Sequence, residues 1–293
     1  MKYALFLGCT IPVRSQNYEV SARNVAKKLG MDLVDLEEFS CCGFPVKSTS
    51  TEAALAIAAR NLAIASEKKL EICTLCNACT GVLTEANKHL SDNKELREKI
   101  NEDLKKIDKE FKPGVKIRHF DRILYEDIGL EKKNNEISKN LKDLRVSVHY
   151  GCHYLRPKDI YDGFDDPENP KTLDELIKAT GANLIDYKDK LDCCGGAILA
   201  VQEETALKMA KIKLDNVTAN NVDALITQCP FCSIMYEDNR NKIETAFNVD
   251  FGGLPVLYYT QLLGLGLGLD KKELGFRLNK IKPTNLLEKL GVE

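Results

Sequence analysis

An apolar run, Tyr3-Ala4-Leu5-Phe6-Leu7, ends in Gly8-Cys9, and a second, Val146-Ser147-Val148-His149-Tyr150, ends in Gly151-Cys152. Each predicts a short, mostly buried strand. A stretch with helical spacing follows each, Val20 to Leu29 and Leu173 to Thr180. A glycine then leads into a second strand, Gly30 to Asp35 and Gly181 to Asp186, which runs on to Cys41-Cys42-Gly43 or Cys193-Cys194-Gly195. Thr51 to Lys69 and Glu203 to Thr218 predict helices, each leading to a Cys-x-x-Cys at Cys76/Cys79 and Cys229/Cys232. Val115 to Phe120 and Leu254 to Tyr259 both predict a strand running into a helix. Strands alternating with helices imply an α/β fold with mainly parallel sheets: two similar Rossmann-like halves produced by internal duplication, each carrying a Cys-Cys-Gly motif.

The cysteines fix the register of the repeat. Cys9 and Cys152 are 143 residues apart, Cys41 and Cys193 are 152 apart, and Cys76 and Cys229 are 153 apart. An insertion in the second half explains the first step, and the segment from Asp162 to Pro170 is its candidate. The boundary is expected inside the polar stretch Glu131 to Asp143, giving domains 1–140 and 141–293. The charge-dense segment Glu85 to Lys112 predicts a solvated helical hairpin. Gly264 to Asp270 lacks the spacing of a phosphate loop and predicts helix packing and termination.

Composition narrows the setting. With 293 residues, 44% hydrophobic and 29% charged, the chain is expected to be soluble and globular. A net charge of −2 gives no reason to expect nucleic acid as a partner. No apolar run reaches the ~18 residues of a membrane span, and the most apolar stretch, Val256 to Leu269, is too short. The N-terminus begins as a strand without the features of a signal peptide, so the expected location is the cytoplasm. Eleven cysteines are many for that compartment, where disulfides are disfavoured and thiols bind metal or do redox chemistry.

Each half offers one cysteine, then an adjacent pair, then Cys-x-x-Cys: Cys9, Cys41, Cys42, Cys76 and Cys79, and Cys152, Cys193, Cys194, Cys229 and Cys232. Parallel α/β folds bring the loops after successive strands to one edge of the sheet, so three cysteine-bearing loops can meet. Adjacent residues in a strand point to opposite faces, and Gly43 and Gly195-Gly196 would allow the turn that aims both thiols at one centre. Five thiolates exceed the needs of one zinc or of a four-cysteine cluster. Iron–sulfur clusters in both halves are the expected cofactors, with zinc in one half as the alternative. Cys73 falls opposite Ile226 in the repeat, which predicts a cysteine buried in the core or packed behind the ligands rather than a ligand itself.

This duplicated layout resembles the CCG-domain family of iron–sulfur proteins. Within it, Leu7 to Arg14, Phe39 to Pro45, His149 to His153, Phe164 to Glu168 and Pro255 to Gly264 are similar to segments of the catalytic subunit of the coenzyme B–coenzyme M heterodisulfide reductases of methanogens. Many relatives carry a fused Cys-x-x-Cys-x-x-Cys-x-x-x-Cys-Pro module, which this chain lacks. The resemblance implies a noncubane [4Fe-4S] cluster held by five cysteines in each half. It implies that the two clusters flank the coenzyme M–coenzyme B disulfide and each capture one sulfur as it is reduced to two thiols. It also implies electron supply by two partner proteins of the same complex, one ferredoxin-like and one flavin-containing. The other functional class that fits is an electron-transfer subunit of a flavin dehydrogenase or a quinone-linked complex.

Four residues beside the cysteines stand out. His153 follows Cys152 and could protonate a leaving thiolate. Arg14, Lys47 and Arg156 follow cluster cysteines closely and could bind the sulfonate, phosphate or carboxylates of such a substrate. The repeat further predicts a pseudo-two-fold molecule with both centres facing one shared cleft.

Overall fold

Eight strands form two four-stranded parallel sheets in a computed structural model that describes residues 1–129 and 136–292. The first sheet contains β1 (Lys2–Phe6), β2 (Asp32–Asp35), β3 (Glu71–Thr74) and β4 (Ile117–His119), in the order β2-β1-β3-β4. The second contains β5 (Arg145–His149), β6 (Asn183–Leu184), β7 (Ala224–Thr227) and β8 (Val256–Tyr258), in the order β6-β5-β7-β8. The two halves are duplicates in pairing as well as in sequence. Leu5 lies opposite Cys73 in the first sheet and Val148 opposite Ile226 in the second. Both inner strands are buried on both faces, which is why they read as continuous apolar runs rather than alternating ones.

The helices fall where the periodicity places them. In the first half, α1 (Ile11–Arg14) and α2 (Gln16–Lys28) precede β2, and α3 (Thr51–Glu67), whose first turn is capped by the Ser50 side chain, precedes β3. The charge-dense segment supplies the second half of α4 (Asn77–Asp92) and all of α5 (Lys94–Lys105). This pair is less solvated than its charge suggests, because Ile100 and Leu104 of α5 are buried and α5 packs on α3. A short α6 (Phe120–Ile123) follows β4.

In the second half, α7 (Cys152–Leu155), α8 (Thr172–Lys178) and α9 (Glu203–Thr218) take the matching places. The inserted segment holds Asp165, whose carboxylate accepts the Lys171 and Thr172 backbone N–H groups at the start of α8. The second strand is shorter than expected, two residues against the span from Gly181 to Asp186, although Ile185 N–H still donates to Val146. After β7 come α10 (Pro230–Ser233) and α11 (Arg240–Phe247), and after β8 come α12 (Tyr259–Gly266) and α13 (Thr284–Lys289). Gly264 leaves no room for a Cβ beside Leu274, as a packing glycine should.

Each half lends an element to the other. The helix α12, which follows the second sheet, packs on α2 of the first half. There Tyr258 stacks on Tyr18 with ring centroids 3.9 Å apart, and Ser21 and Thr260 share a hydrogen bond of 2.7 Å. In return, α6 packs on α8, and Tyr125 beyond it donates to Glu175 at 2.7 Å. His119 at the end of β4 meets the Gln228 carbonyl at 3.1 Å. The buried apolar residues of both sheets form one continuous core, so the ends of the two sheets are held face to face. Residues 130–135, which include part of the polar stretch expected to hold the boundary, lie outside the described residues.

Candidate metal centre

The cysteines sit where parallel strands end. Cys9 follows β1 after Gly8, and Cys41-Cys42 follow β2. The turn that redirects the pair is made by Gly43, with a φ of 97°, where a Cβ would lie 2.8 Å from the Ala54 carbonyl oxygen. Gly195 repeats the device at a φ of 82° against the Ala206 carbonyl oxygen. The glycine N–H groups then point back at sulfur, from Gly43 to Cys41 and from Gly195 to Cys193, both at 3.4 Å. Cys76 and Cys229 occupy the N-cap positions of α4 and α10, so Cys79 and Cys232 fall in the first turns.

The ten thiols form two matching chains. In the first half contacts run from Cys9 to Cys41, Cys42, Cys79 and Cys76. In the second they run from Cys152 to Cys193, Cys194, Cys232 and Cys229. Cys76 and Cys229 also interact with each other, which joins the two chains. Cys73 takes no part: it is fully buried in β3, and burial pushes its thiol up. That agrees with the core role read from Ile226. By contrast, Cys42 is brought down to about 7 by hydrogen bonds from Cys79 and from the Phe44 N–H. Cys193 and Cys229 are held well below the ordinary thiol range by the neighbouring thiols of Cys152 and Cys232 respectively. Thiols that share protons this closely are poised to lose them to a metal. A soft five-thiol donor set in each half, with Cys9 exposed, Cys41, Cys152 and Cys193 half-buried and the rest buried, fits an iron–sulfur cluster.

One residue of the centre escaped the sequence reading. A ring nitrogen of His149 and the sulfurs of Cys194 and Cys232 all lie within 4.8 Å of one another. His149 is buried, and its Nε2 has no hydrogen-bond partner among the described residues. Its signal in the sequence was a polar residue in an apolar strand, at the place Phe6 takes in the first half.

A cleft of about 950 Å³ opens between the halves, lined by Arg14, Phe44 and Lys47 on one side and by Leu199, Phe231 and Met235 on the other; Thr10, Phe44, Pro45 and Phe231 also line a small pocket that reaches Cys9, Cys42, Cys76 and Cys79. The two sides differ chemically, because Leu199 takes in the second half the position of Lys47 in the first. Arg14 bridges to Asp238 across the halves at 2.7 Å, and Lys47 pairs with Glu85 at 2.5 Å. A third cation, Lys242, also lines the cleft and was not singled out by sequence. Arg156 is not brought to the cleft: it donates to the Pro167 carbonyl at 2.9 Å and to Glu168 at 3.1 Å. His153 lies one ring away from the cleft. Its Nδ1 is 3.2 Å from Cys152 Sγ, and its ring packs edge-on against Phe44 with centroids 5.5 Å apart. Burial lowers its basicity.

Comparisons with known proteins agree with this geometry. The cysteine-rich CCG domain matches residues 3–84 and 146–237, once in each half. The chain is 37% identical to a subunit of the ferredoxin:CoB-CoM heterodisulfide reductase from Methanosarcina mazei, over 99% of this chain and 97% of that one. It is 31% identical to the membrane anchor subunit of an 8-methylmenaquinol:fumarate reductase from Wolinella succinogenes, over 97% of this chain and 99% of that one. A crystal structure of a hypothetical protein from Helicobacter pylori superposes with a TM-score of 0.78 at 18% identity, covering 96% of this chain and 52% of that one. That likeness shows the fold, and the chain spans about half the length of that protein. Among the described residues no helix is long and apolar enough to cross a membrane. Duplicated fold, paired thiol sets and relatives together make this chain a member of the cysteine-rich CCG-domain family and an iron–sulfur subunit of an oxidoreductase complex.

Proposed function

We propose that the chain is the catalytic subunit of a heterodisulfide reductase, reducing the coenzyme M–coenzyme B disulfide to two thiols. The observation that carries this reading is the pair of five-thiol sets that approach each other at Cys76 and Cys229. Two noncubane [4Fe-4S] clusters would supply two one-electron steps and a site for each sulfur. Cys9, Cys41, Cys42, Cys76 and Cys79 would hold one, and Cys152, Cys193, Cys194, Cys229 and Cys232 the other. A lone one-electron centre would have to stabilise a half-reduced disulfide, and a symmetric pair avoids that.

The chain's other residues divide the remaining work. Arg14 and Lys47, with Lys242, offer cations to an anionic end of the substrate, while Leu199, Ile234 and Met235 offer an apolar wall to an aliphatic one. Phe44 and Phe231 exclude water above the thiols. His153 is the proposed proton source, close to Cys152 and screened from the cleft by the Phe44 ring. Under this reading the two functional units are residues 1–140 and 141–293. The partners are a ferredoxin-like protein and a flavin-containing protein of the same reductase complex, and the setting is the cytoplasm.

The Wolinella relative favours a second reading, an electron-transfer subunit of a quinol-linked or flavin-linked complex. Metal analysis and EPR of the anaerobically prepared chain decide between them. Iron and sulfide for two clusters, with a new paramagnetic signal on adding coenzyme M under oxidising conditions, is the expected result. Two clusters blind to any thiol would favour the electron-transfer reading, and zinc in either half would remove the two-cluster mechanism. Turnover slowed about 100-fold in His153→Gln with iron unchanged would support the proton role.

A further inference from the structure

The two thiol sets match, but the groups that press on them do not. His149 stands where the first half has Phe6, both two residues before the glycine that precedes the leading cysteine. Tyr236, buried beside it, brings its hydroxyl to His149 Nδ1 at 3.5 Å, and the two rings pack edge-on. With the tyrosine O–H as donor to Nδ1, the imidazole proton sits on Nε2. The His149 ring brings a nitrogen within 4.8 Å of the Cys194 and Cys232 sulfurs, and its Nε2 has no hydrogen-bond partner among the described residues. A buried, unpartnered ring nitrogen on a side chain beside two sulfurs is a donor waiting for an acceptor, since a group left unpaired here is costly.

A second substitution between the halves acts in the same direction. On the helix after the Cys-Cys-Gly turn, Ala54 and Ala206 close the turns equivalently, and counting from them Asn61 corresponds to Lys213. Asn61 is neutral and used locally: it accepts from Ser40 N–H and donates to the Cys41 carbonyl. Lys213 is 1% exposed, donates to the Asp189 carbonyl and lies 5.4 Å from the centre of the Tyr187 ring. Burial lowers its ammonium to about 8, and the charge interacts with Asp192 first and then with Cys232, Asp189 and Cys194. The carboxylates nearest to it in effect, Asp192 and Asp189, keep access to solvent, whereas the two cysteines are buried. The side toward the sulfurs is therefore the less screened one.

We infer that His149 and Lys213 make the C-terminal centre the more readily reduced of the two, so that it receives the first electron. A hydrogen bond to cluster sulfur and a buried cation both stabilise the extra negative charge of the reduced state, and the N-terminal centre has Phe6 and Asn61 instead. His149 is a positioning and tuning residue here, not a ligand. The inference rests on the proposed function only for the presence of an iron–sulfur centre in each half.

The test is a mediated potentiometric titration of the anaerobically prepared full chain, followed by EPR, with iron and sulfide counted in the same samples. Wild type should show two waves at different potentials. The upper wave should persist in Cys41→Ala and vanish in Cys193→Ala. His149→Phe and Lys213→Asn, which install the first half's residues, should each move the upper wave to lower potential and leave the lower wave in place. His149→Gln keeps an N–H donor and should retain both iron content and most of the gap. A single wave in wild type, an upper wave that survives Cys193→Ala, or full-iron variants with unmoved waves would overturn the inference. So would loss of the C-terminal iron in His149→Gln, which would make His149 a ligand. A wild-type chain with iron in one half only would defeat the two-cluster function instead, and the iron count tells that case apart.

Discussion

The edge pairing of the two sheets separates what the duplication kept from what it let go. In the first half Cys73 lies opposite Arg118, and in the second Ile226 lies opposite Leu257. The thiol chains beyond these strands follow the same order in both halves, as do the left-handed glycines and the N-cap placement of each Cys-x-x-Cys. Five donors on three loops tolerate little displacement, since each must reach the same point. The strands that carry the loops need only the right length and direction, and their side chains were free to diverge. One half ended with an ionic seam and the other with an apolar one.

The ligands are where the two halves should behave alike, and a change there should have the largest effect. Cys42→Ala should lose the N-terminal centre and about half of the iron, because Cys42 links the leading cysteines to Cys79 and Cys76. Cys194→Ala should do the same to the C-terminal centre. Iron counts per chain with EPR check both, and full iron in either variant would break the equivalence.

The ionic seam should show the reverse, a large effect in one half without a counterpart in the other. Arg118 is 3% exposed and pairs with Glu71, Glu126 at 2.8 Å and Asp127 at 2.6 Å. Its guanidinium holds the Asp127 carboxyl down at about 2. Arg118→Leu, the residue of the second half, should therefore destabilise the fold by about 3–5 kcal/mol by leaving Glu71 and Asp127 without their cation, while Glu126 keeps Arg122. Denaturant unfolding measures this. The inverse comparison, Leu257→Val, should cost about 1 kcal/mol as an ordinary core trimming.

A smaller asymmetry is set by pH. Glu237 is 6% exposed and accepts the Ile281 N–H at 2.9 Å, and burial raises its carboxyl to about 7. Counting from Cys79 and Cys232, the first half has Thr84 in this place. The folded state holds this proton more tightly than the unfolded chain, so the contribution is fully present below the ordinary glutamate value near 4.5. It is lost as pH rises through about 7. Between pH 5 and 8 the loss should reach about 3 kcal/mol, and Glu237→Gln should remove that slope. Melting temperatures across this range decide it, and an unchanged slope in the variant would assign the pH dependence elsewhere.

Period and punctuation carried most of this architecture in the sequence. The apolar runs ending in Gly-Cys, the Ala-rich helices and the cysteine offsets predict β1, β5, α3, α9 and the ten thiols. What escaped was set by partners distant in the chain. β6 is short because its pairing with β5 is confined to Asn183 and Leu184. The seating of α12 on α2 depends on contacts such as Tyr18 with Tyr258, 240 residues apart, which no local pattern encodes. His149 and Lys213 were hidden for the same reason, since each reads locally as one polar residue in an apolar or amphipathic run. Arg156 sits the right distance from Cys152 in sequence, but Glu168 and the Pro167 carbonyl of the inserted segment hold it elsewhere.

The smallest expected effect is at the eleventh cysteine, where the halves differ without consequence for the metal. Cys73 lies between β1 and β4, opposite Leu5 and Arg118, and the same place in the second sheet is filled by Ile226 between Val148 and Leu257. It makes no contact with the thiol chain, and burial disfavours its thiolate, so it is a poor ligand and a poor nucleophile. Cys73→Val exchanges one small apolar side chain for another of similar volume and should change stability by less than about 1.5 kcal/mol. Iron, sulfide and the EPR spectrum should match wild type, and the native variant should react with thiol reagents at the same rate, since a fully buried sulfur contributes nothing to that rate. Loss of iron in Cys73→Val would mean that the first half uses a sixth sulfur that the second half lacks, and the equivalence of the two centres would end at their ligands rather than at their surroundings.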